Sequence, residues 1–254
     1  MRLKFLTINI LFGGMIWDNL VQFIRDEKPD ILAIQEVYNG QNPSLEKRYR
    51  TMNEFENLFS DFLPYNAFGA TVLDKSVQVT WGNAVFSKFP ITNYKTVFFN
   101  LPFTEYDFDL DTDPRLAAEG MLEAEIMVDD KKMYAYSWHG VWDNHGGDTD
   151  SRFIMGEKII EAIKGKEEVI LAGDTNVDPD TKVISNISEK LGLVSVFGNS
   201  LQSTFNMKHK KEPGNYAHSP VDQVFVSPNF QIIEKEMPQV DVSDHYPLKV
   251  LLEV

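Results

Sequence analysis

The chain offers several polar residues where rigid chemistry is easiest to build, at the ends of apolar runs. The clearest is VILAGDTN, an apolar strand that turns at Gly173 and carries Asp174 and Asn176 two residues apart. A carboxylate at Asp174 could orient or deprotonate a water, and an amide at Asn176 could donate to a phosphoryl oxygen. The same letters also make an ordinary Asp/Asn turn. Glu36 closes the apolar run ILAIQE. A carboxylate on a strand end, beside a loop, suits a hard divalent cation; it also suits a solvated strand end or a helix cap.

Ser243-Asp244-His245 precedes the last apolar run and puts a candidate metal ligand next to an imidazole that can move protons. Asp222 opens VDQVFV, where a buried acid needs a partner. A histidine such as His245 would serve, with the carboxylate fixing its tautomer. His139 ends YAYSWHG, a place for a general acid or for an electrostatic stabiliser of a pentavalent phosphorus centre. His145, six residues on, is a candidate substrate contact, and the spacing of the two histidines fits no compact zinc pair. Asn83, in WGNA, is a candidate phosphate contact or a turn residue. Phe103, Tyr106 and Phe108 decorate an acidic loop and could stack on a ligand or pack down as a lid. His209 sits in KHKK, the one basic cluster, and reads as a solvated hairpin tip.

The elements that must position these residues are legible in outline. Leu3 to Ile10 alternates as a strand, Trp17 to Glu27 has helical spacing stopped by Pro29, and Asp30 to Glu36 is a buried strand. A helix is expected over Asn53 to Phe62 and strands over Ser76 to Ser87 and Thr92 to Asn100. Gly120 to Val128 and Lys132 to His139 read as a hairpin around Asp129-Asp130. A helix follows from about Asp150 to Lys164, then a strand from Glu168 to Ala172 and a helix from Lys182 to Leu191. Pro220 to Ser227 and Tyr246 to Val254 are the last strands. No Pro/Gly/Ser-rich linker divides the chain, so residues 1–254 are read as one domain whose strand ends converge on one face.

Composition sets limits. The 254 residues are 43% hydrophobic and 24% charged, an ordinary globular balance. There is no cysteine, which excludes disulfides, thiolate catalysis and cysteine zinc sites. A net charge of −14 gives no electrostatic footprint for non-specific nucleic-acid or anionic-membrane binding. It leaves room for a small phosphate site, because a bound divalent cation reverses the local sign. No run reaches membrane-spanning length. MRLKFLTINILFGGM alternates like a strand and lacks a cleavage site, so a cytoplasmic location is the default expectation. No protein partner is inferable.

Taken in order, Asn9 in TINI, Glu36 in IQEV, His139 in SWHG, Asp174 and Asn176 in GDTN, Asp222 in VDQVFVS and Asp244-His245 in VSDH form one series. It closely resembles the endonuclease/exonuclease/phosphatase family, over nearly the whole chain. The resemblance implies an α/β (α+β) four-layer sandwich, two packed mixed β-sheets flanked by helices, with the site at one end of the sheets. It implies Mg²⁺ or Mn²⁺ on Glu36, with Asn9 and Asp244 close by. Asp174 would activate the water and Asn176 would hold the phosphate. His139 and His245 would stabilise its charge, with Asp222 orienting His245. The implied reaction is in-line attack of water on phosphorus, without a covalent intermediate.

Two departures stand out. Several nucleases of the family carry an arginine in an EGR-like segment, where this chain reads Glu119-Gly120-Met121; Arg115 is the candidate substitute. The loop HGVWDNHGGDTDSR resembles that of a bacterial branch of the family and offers Trp142 as a substrate contact. The first expectation is therefore hydrolysis of a phosphodiester in the manner of a nuclease. The alternative is a small phosphate ester such as a sugar phosphate, a nucleotide or a lipid headgroup. A non-catalytic binding module of the same fold is a remote third, since it predicts loss of a core polar residue and all are present.

Overall fold

A computed structural model describes residues 1–210 and 219–254 of the chain. Lys211 of the KHKK cluster lies outside the described residues.

Thirteen strands in this range form two mixed sheets. The first contains β1 (Arg2–Asn9), β2 (Ile31–Tyr38), β3 (Tyr65–Asp74), β4 (Val79–Ser87), β6 (Thr104–Tyr106), β12 (Gln231–Glu236) and β13 (Leu248–Glu253). Their order is β12-β13-β1-β2-β4-β3-β6. The second contains β5 (Ile91–Phe98), β7 (Gly120–Val128), β8 (Lys131–His139), β9 (Val169–Asp174), β10 (Val194–Ser195) and β11 (Asp222–Val226), in the order β10-β11-β9-β8-β7-β5. β1 runs parallel to β2, and β8 parallel to β9.

The near-continuous apolar runs of the central strands follow from burial on both faces. Side chains alternate across a sheet, so each run feeds two cores. In β1, Leu3 and Phe5 point between the sheets, whereas Leu6 and Ile8 point outward. In β9, Ile170 and Ala172 point between the sheets, and Val169 and Leu171 point outward. The outward face of the first sheet is covered by α1 (Trp17–Glu27) through Leu20 and Ile24, and by α2 (Thr51–Phe59) through Phe55 and Phe59. The outward face of the second is covered by α3 (Asp150–Ile163) and α4 (Lys182–Leu191). The layers are therefore helix, sheet, sheet, helix.

Helix ends follow local rules. α1 closes on Lys28 in the left-handed region, whose N–H reaches Ile24 O, before Pro29. Thr149 and Thr181 cap α3 and α4 with their hydroxyls, and Gly192 ends α4 at φ +65°. No described helix is long and apolar enough to cross a membrane.

Some boundaries differ from the sequence expectation. α2 begins at Thr51 and ends at Phe59, and the strand expected from Ser76 starts at Val79 after a turn. β3 and β12 were not expected. β3 alternates only weakly and contains Gly69, while β12 is an exposed edge strand of mostly polar residues.

Candidate active site

The ends of three neighbouring strands of the second sheet form a row. His139 of β8 is in register with Asp174 of β9, which is in register with Asp222 of β11. Across the gap, β1 ends at Asn9 and β2 carries Glu36. Asp244 and His245 arrive on the loop before β13, held by a bridge between His245 and Phe205. Below the site the sheets are tied by polar contacts: Gln35 Nε2 donates to Ser137 Oγ at 2.9 Å, and that hydroxyl donates to Ile34 O at 2.8 Å.

Glu36 is aimed by a defect. The β2–β4 register slips between Ile34 and Val37, and Glu36 itself sits at φ +64°. A bulge re-aims a side chain at a local cost, and a non-glycine residue in the left-handed region costs about 1–3 kcal/mol. The redirected carboxylate accepts from Asn9 Nδ2 at 2.9 Å and from Phe12 N at 2.7 Å. The β9 turn is built by Gly173, at φ +144°, where an added Cβ would lie 2.0 Å from Trp138 O. No other residue fits there.

Asp174 is the meeting point. Its Oδ2 accepts from Asn9 Nδ2 at 3.1 Å, and its Oδ1 accepts from Asn176 N at 3.0 Å. The Nε2 atoms of His139 and His245 lie 3.8 and 3.7 Å from the same Oδ2. Burial works to raise the Asp174 carboxyl. The His245 and His139 imidazoles and these hydrogen bonds outweigh it and hold the group below the ordinary carboxylate value.

Asp222 Oδ2 lies 2.8 Å from His245 Nδ1, both residues being buried. Burial alone would lower the His245 imidazole, but Asp222, Asp174 and Asp244 outweigh it and push it up to about 10. Asp174, Asp222 and His245 offer ligand atoms within 4.8 Å of one another. The Asp222–His245 hydrogen bond already uses one atom of each, so this trio reads as a relay. The carboxylates of Glu36 and Asp244 line the same cleft and are hard oxygen donors of the kind that suits a divalent cation. Asn9 turns its amide N–H groups to Glu36 and Asp174, while its Oδ1 accepts from Leu11 N at 3.1 Å. It bridges two carboxylates.

The cleft has a volume of about 250 Å³ and is lined by Glu36, His139, Asp174, Asn176, Asp244 and His245, with Trp81, Phe108 and Trp142 as apolar walls. The candidates Asn9, Glu36, His139, Asp174, Asn176, Asp222, Asp244 and His245 thus come together. Three others do not. Asn83 is buried and donates to Gly120 O at 2.8 Å, a tie between sheets. Arg115 is spent on Asp113, Nε to Oδ1 at 2.8 Å, on the surface. His145 is exposed and accepts from Gly147 N through Nδ1. Trp142 does reach the cleft.

Two residues that the sequence reading left unassigned stand behind the site. Glu119 is buried, lines the cleft, and accepts from Trp142 N at 2.9 Å; burial drives its carboxyl well above the usual range. Arg152, fully buried, donates to Val141 O, His145 O, Gly147 O and Asn176 O. The signal for Arg152 was present in the chain: a cation in the first turn of α3 opposes the helix dipole, so another contact must hold it there.

A family model described as Endonuclease/Exonuclease/phosphatase family matches residues 6–245. No curated protein sequence matches the chain. Among solved structures, the endonuclease/exonuclease/phosphatase from Bacteroides vulgatus superposes with a TM-score of 0.75 at 16% identity, covering 100% of this chain and 99% of that one. The mannosyl-6-phosphatase of Bacteroides thetaiotaomicron superposes with a TM-score of 0.69 at 18% identity, covering 99% and 100%. Sphingomyelinase C from Streptomyces griseocarneus gives 0.62 at 16%, covering 99% of each. At such identities the likeness is one of fold, whereas the family match spans nearly the whole chain and every strand end that carries the site. The chain therefore belongs to the endonuclease/exonuclease/phosphatase family, whose members hydrolyse phosphate esters and generally use divalent metals.

Proposed function

We propose that residues 1–254 form one catalytic unit that hydrolyses a compact phosphate ester by direct attack of water on phosphorus. The observation that carries this reading is the convergence on Asp174 of two imidazoles and an asparagine, with one imidazole backed by a buried carboxylate. Asp174, kept ionised, accepts a proton from the attacking water and orients it along the line of displacement. His245, kept charged by Asp222, points Nε2–H at the phosphoryl oxygens. His139 approaches from the other side. Asn176, fixed on Gly140 O at 3.0 Å, lines the cleft and donates to the phosphate. Mg²⁺ or Mn²⁺ held by Glu36 and Asp244 would supply charge neutralisation at the phosphoryl and leaving oxygens.

A compact substrate is favoured over a nucleic-acid strand by the cleft rim. Lys210 is the one Lys or Arg among the described residues lining the cleft, and it already faces Asp244 at 3.5 Å. The adjoining loop carries Asp107, Asp109, Asp111 and Asp113. A polyanion would gain little there and would be repelled. The test is turnover of sugar phosphates, nucleotides, a choline-phosphate lipid, RNA and plasmid DNA with Mg²⁺ or Mn²⁺. Activity on a small ester, lost with EDTA and in Asp174→Asn, is expected. Activity that survives both would sink the reading, and exclusive activity on DNA or RNA would restore the first expectation, a nuclease.

A further inference from the structure

The loop between β8 and α3 is held more tightly than its polar, glycine-rich sequence suggests. Gly140 N donates to Asp174 O at 2.8 Å, and an added Cβ at Gly140 would lie 1.9 Å from Thr175 O. Trp142 N is anchored on the Glu119 carboxyl at 2.9 Å. The carbonyls of Val141, His145 and Gly147 all accept from Arg152, whose remaining nitrogen reaches Asn176 O at 2.6 Å. Gly146 O accepts from Asp178 N at 2.8 Å. The backbone is thus fixed on both sides of one residue, Trp142. Trp142 is only half-buried and lines the cleft that Asn176 also lines.

A large aromatic residue held on a fixed backbone at the wall of the cleft is an expensive arrangement if it serves packing alone. Glu119 and Arg152 are both buried in order to hold it. Trp81 and Phe108, which also line the cleft, are aromatic too, with ring centroids 5.3 Å apart. We infer that Trp142 is a specificity-determining residue: its indole receives a ring, of a sugar or a base, attached to the phosphate bound in the same cleft. The inference rests on the phosphate-ester reading of the cleft and deepens it. The substrate class is a monomeric phosphate ester bearing a ring, in preference to an acyclic phosphate.

The test is affinity, read separately from turnover. Calorimetry in magnesium buffer compares a hexopyranose phosphate with glycerol phosphate, which carries the same group without a ring. The wild type, Trp142→Ala and Trp142→Phe are titrated. The wild type should prefer the ring-bearing ligand. Trp142→Ala should weaken that ligand by about tenfold, the scale of one ring stacked on an aromatic, and leave glycerol phosphate within about twofold. Trp142→Phe should keep most of the preference, which separates stacking from a collapsed loop. Equal weakening of both ligands by Trp142→Ala overturns the inference. So does a wild type without ring preference, including one that binds neither ligand. Hydrolysis followed on the same solutions tests the other reading. Ring-selective binding without turnover would support the Trp142 inference and remove the hydrolytic one.

Discussion

The two histidines of the site face the same Asp174 oxygen at nearly equal distance, yet they are built differently. His245 is backed by Asp222 at 2.8 Å, in a pocket where three carboxylates favour its charged form. His139 has no hydrogen-bond partner on Nδ1 among the described residues, and its ring packs against Trp81 at 5.4 Å between centroids. One imidazole is set by a carboxylate, the other by an aromatic surface. The difference teaches that a symmetric outline around one carboxylate can conceal two different ways of fixing an imidazole. In the proposed reaction His245 would supply standing charge, and His139 a position.

The largest effect should come from removing what both histidines share. Asp174→Asn is expected to lower kcat by about 10²–10⁴-fold, as expected for loss of a general base, with the fold preserved by circular dichroism. Next, His245→Ala should cost about 10²–10³-fold in kcat, the scale of losing one preorganised donor. Asp222→Asn should add little in that background, because the two act as one unit. Additive losses would break the pairing drawn here. Trp81→Ala should act through His139, changing kcat by a smaller factor than His245→Ala; a larger loss would reverse the assigned roles.

A pH series sharpens the comparison without substrate. The folded His245 imidazole lies at about 10, above its ordinary value of 6.5. Its contribution to stability is therefore fully present below about pH 6.5 and is lost as pH rises through the folded value. In EDTA, Tm should fall between those limits, and Asp222→Asn should flatten the fall. A wild-type Tm that rises across this window would contradict the charged His245. The smallest effect is expected for Arg115→Ala. Arg115 is paired with Asp113 in solvent, so activity should change by less than about twofold and Tm should stay close to that of the wild type.

Much of the site was legible because its residues stand at the ends of strongly apolar strands. VILAGDTN and ILAIQE announce both a buried strand and the polar group it delivers. Asp222 and His245 could be paired on chemical grounds, since a buried acid needs a partner. What was less legible depends on backbone geometry and on distance in sequence. The positive φ of Glu36 leaves no mark in the letters. Asn9 looks like a metal ligand by order, but its amide is turned to bridge Glu36 and Asp174. Arg115 is near the right place in the chain and lies outside the cleft, because Asp113 two residues away captures it first. Glu119 acts through the backbone of Trp142, 23 residues further along the chain. β12 escaped because an exposed edge strand has no apolar alternation to display.

The bulge that aims Glu36 has a consequence for how this enzyme would respond to laboratory evolution. Position 36 holds a conformation that glycine or asparagine adopts with less strain than glutamate. Glu36→Gly or Glu36→Asn would relieve that strain but would give up the bonds that the carboxylate accepts from Asn9 Nδ2 and Phe12 N, together with the cation ligand of the proposed reaction. Backbone strain and side-chain bonding therefore pull in opposite directions at a single residue, which makes position 36 the one to hold constant when the scaffold is engineered.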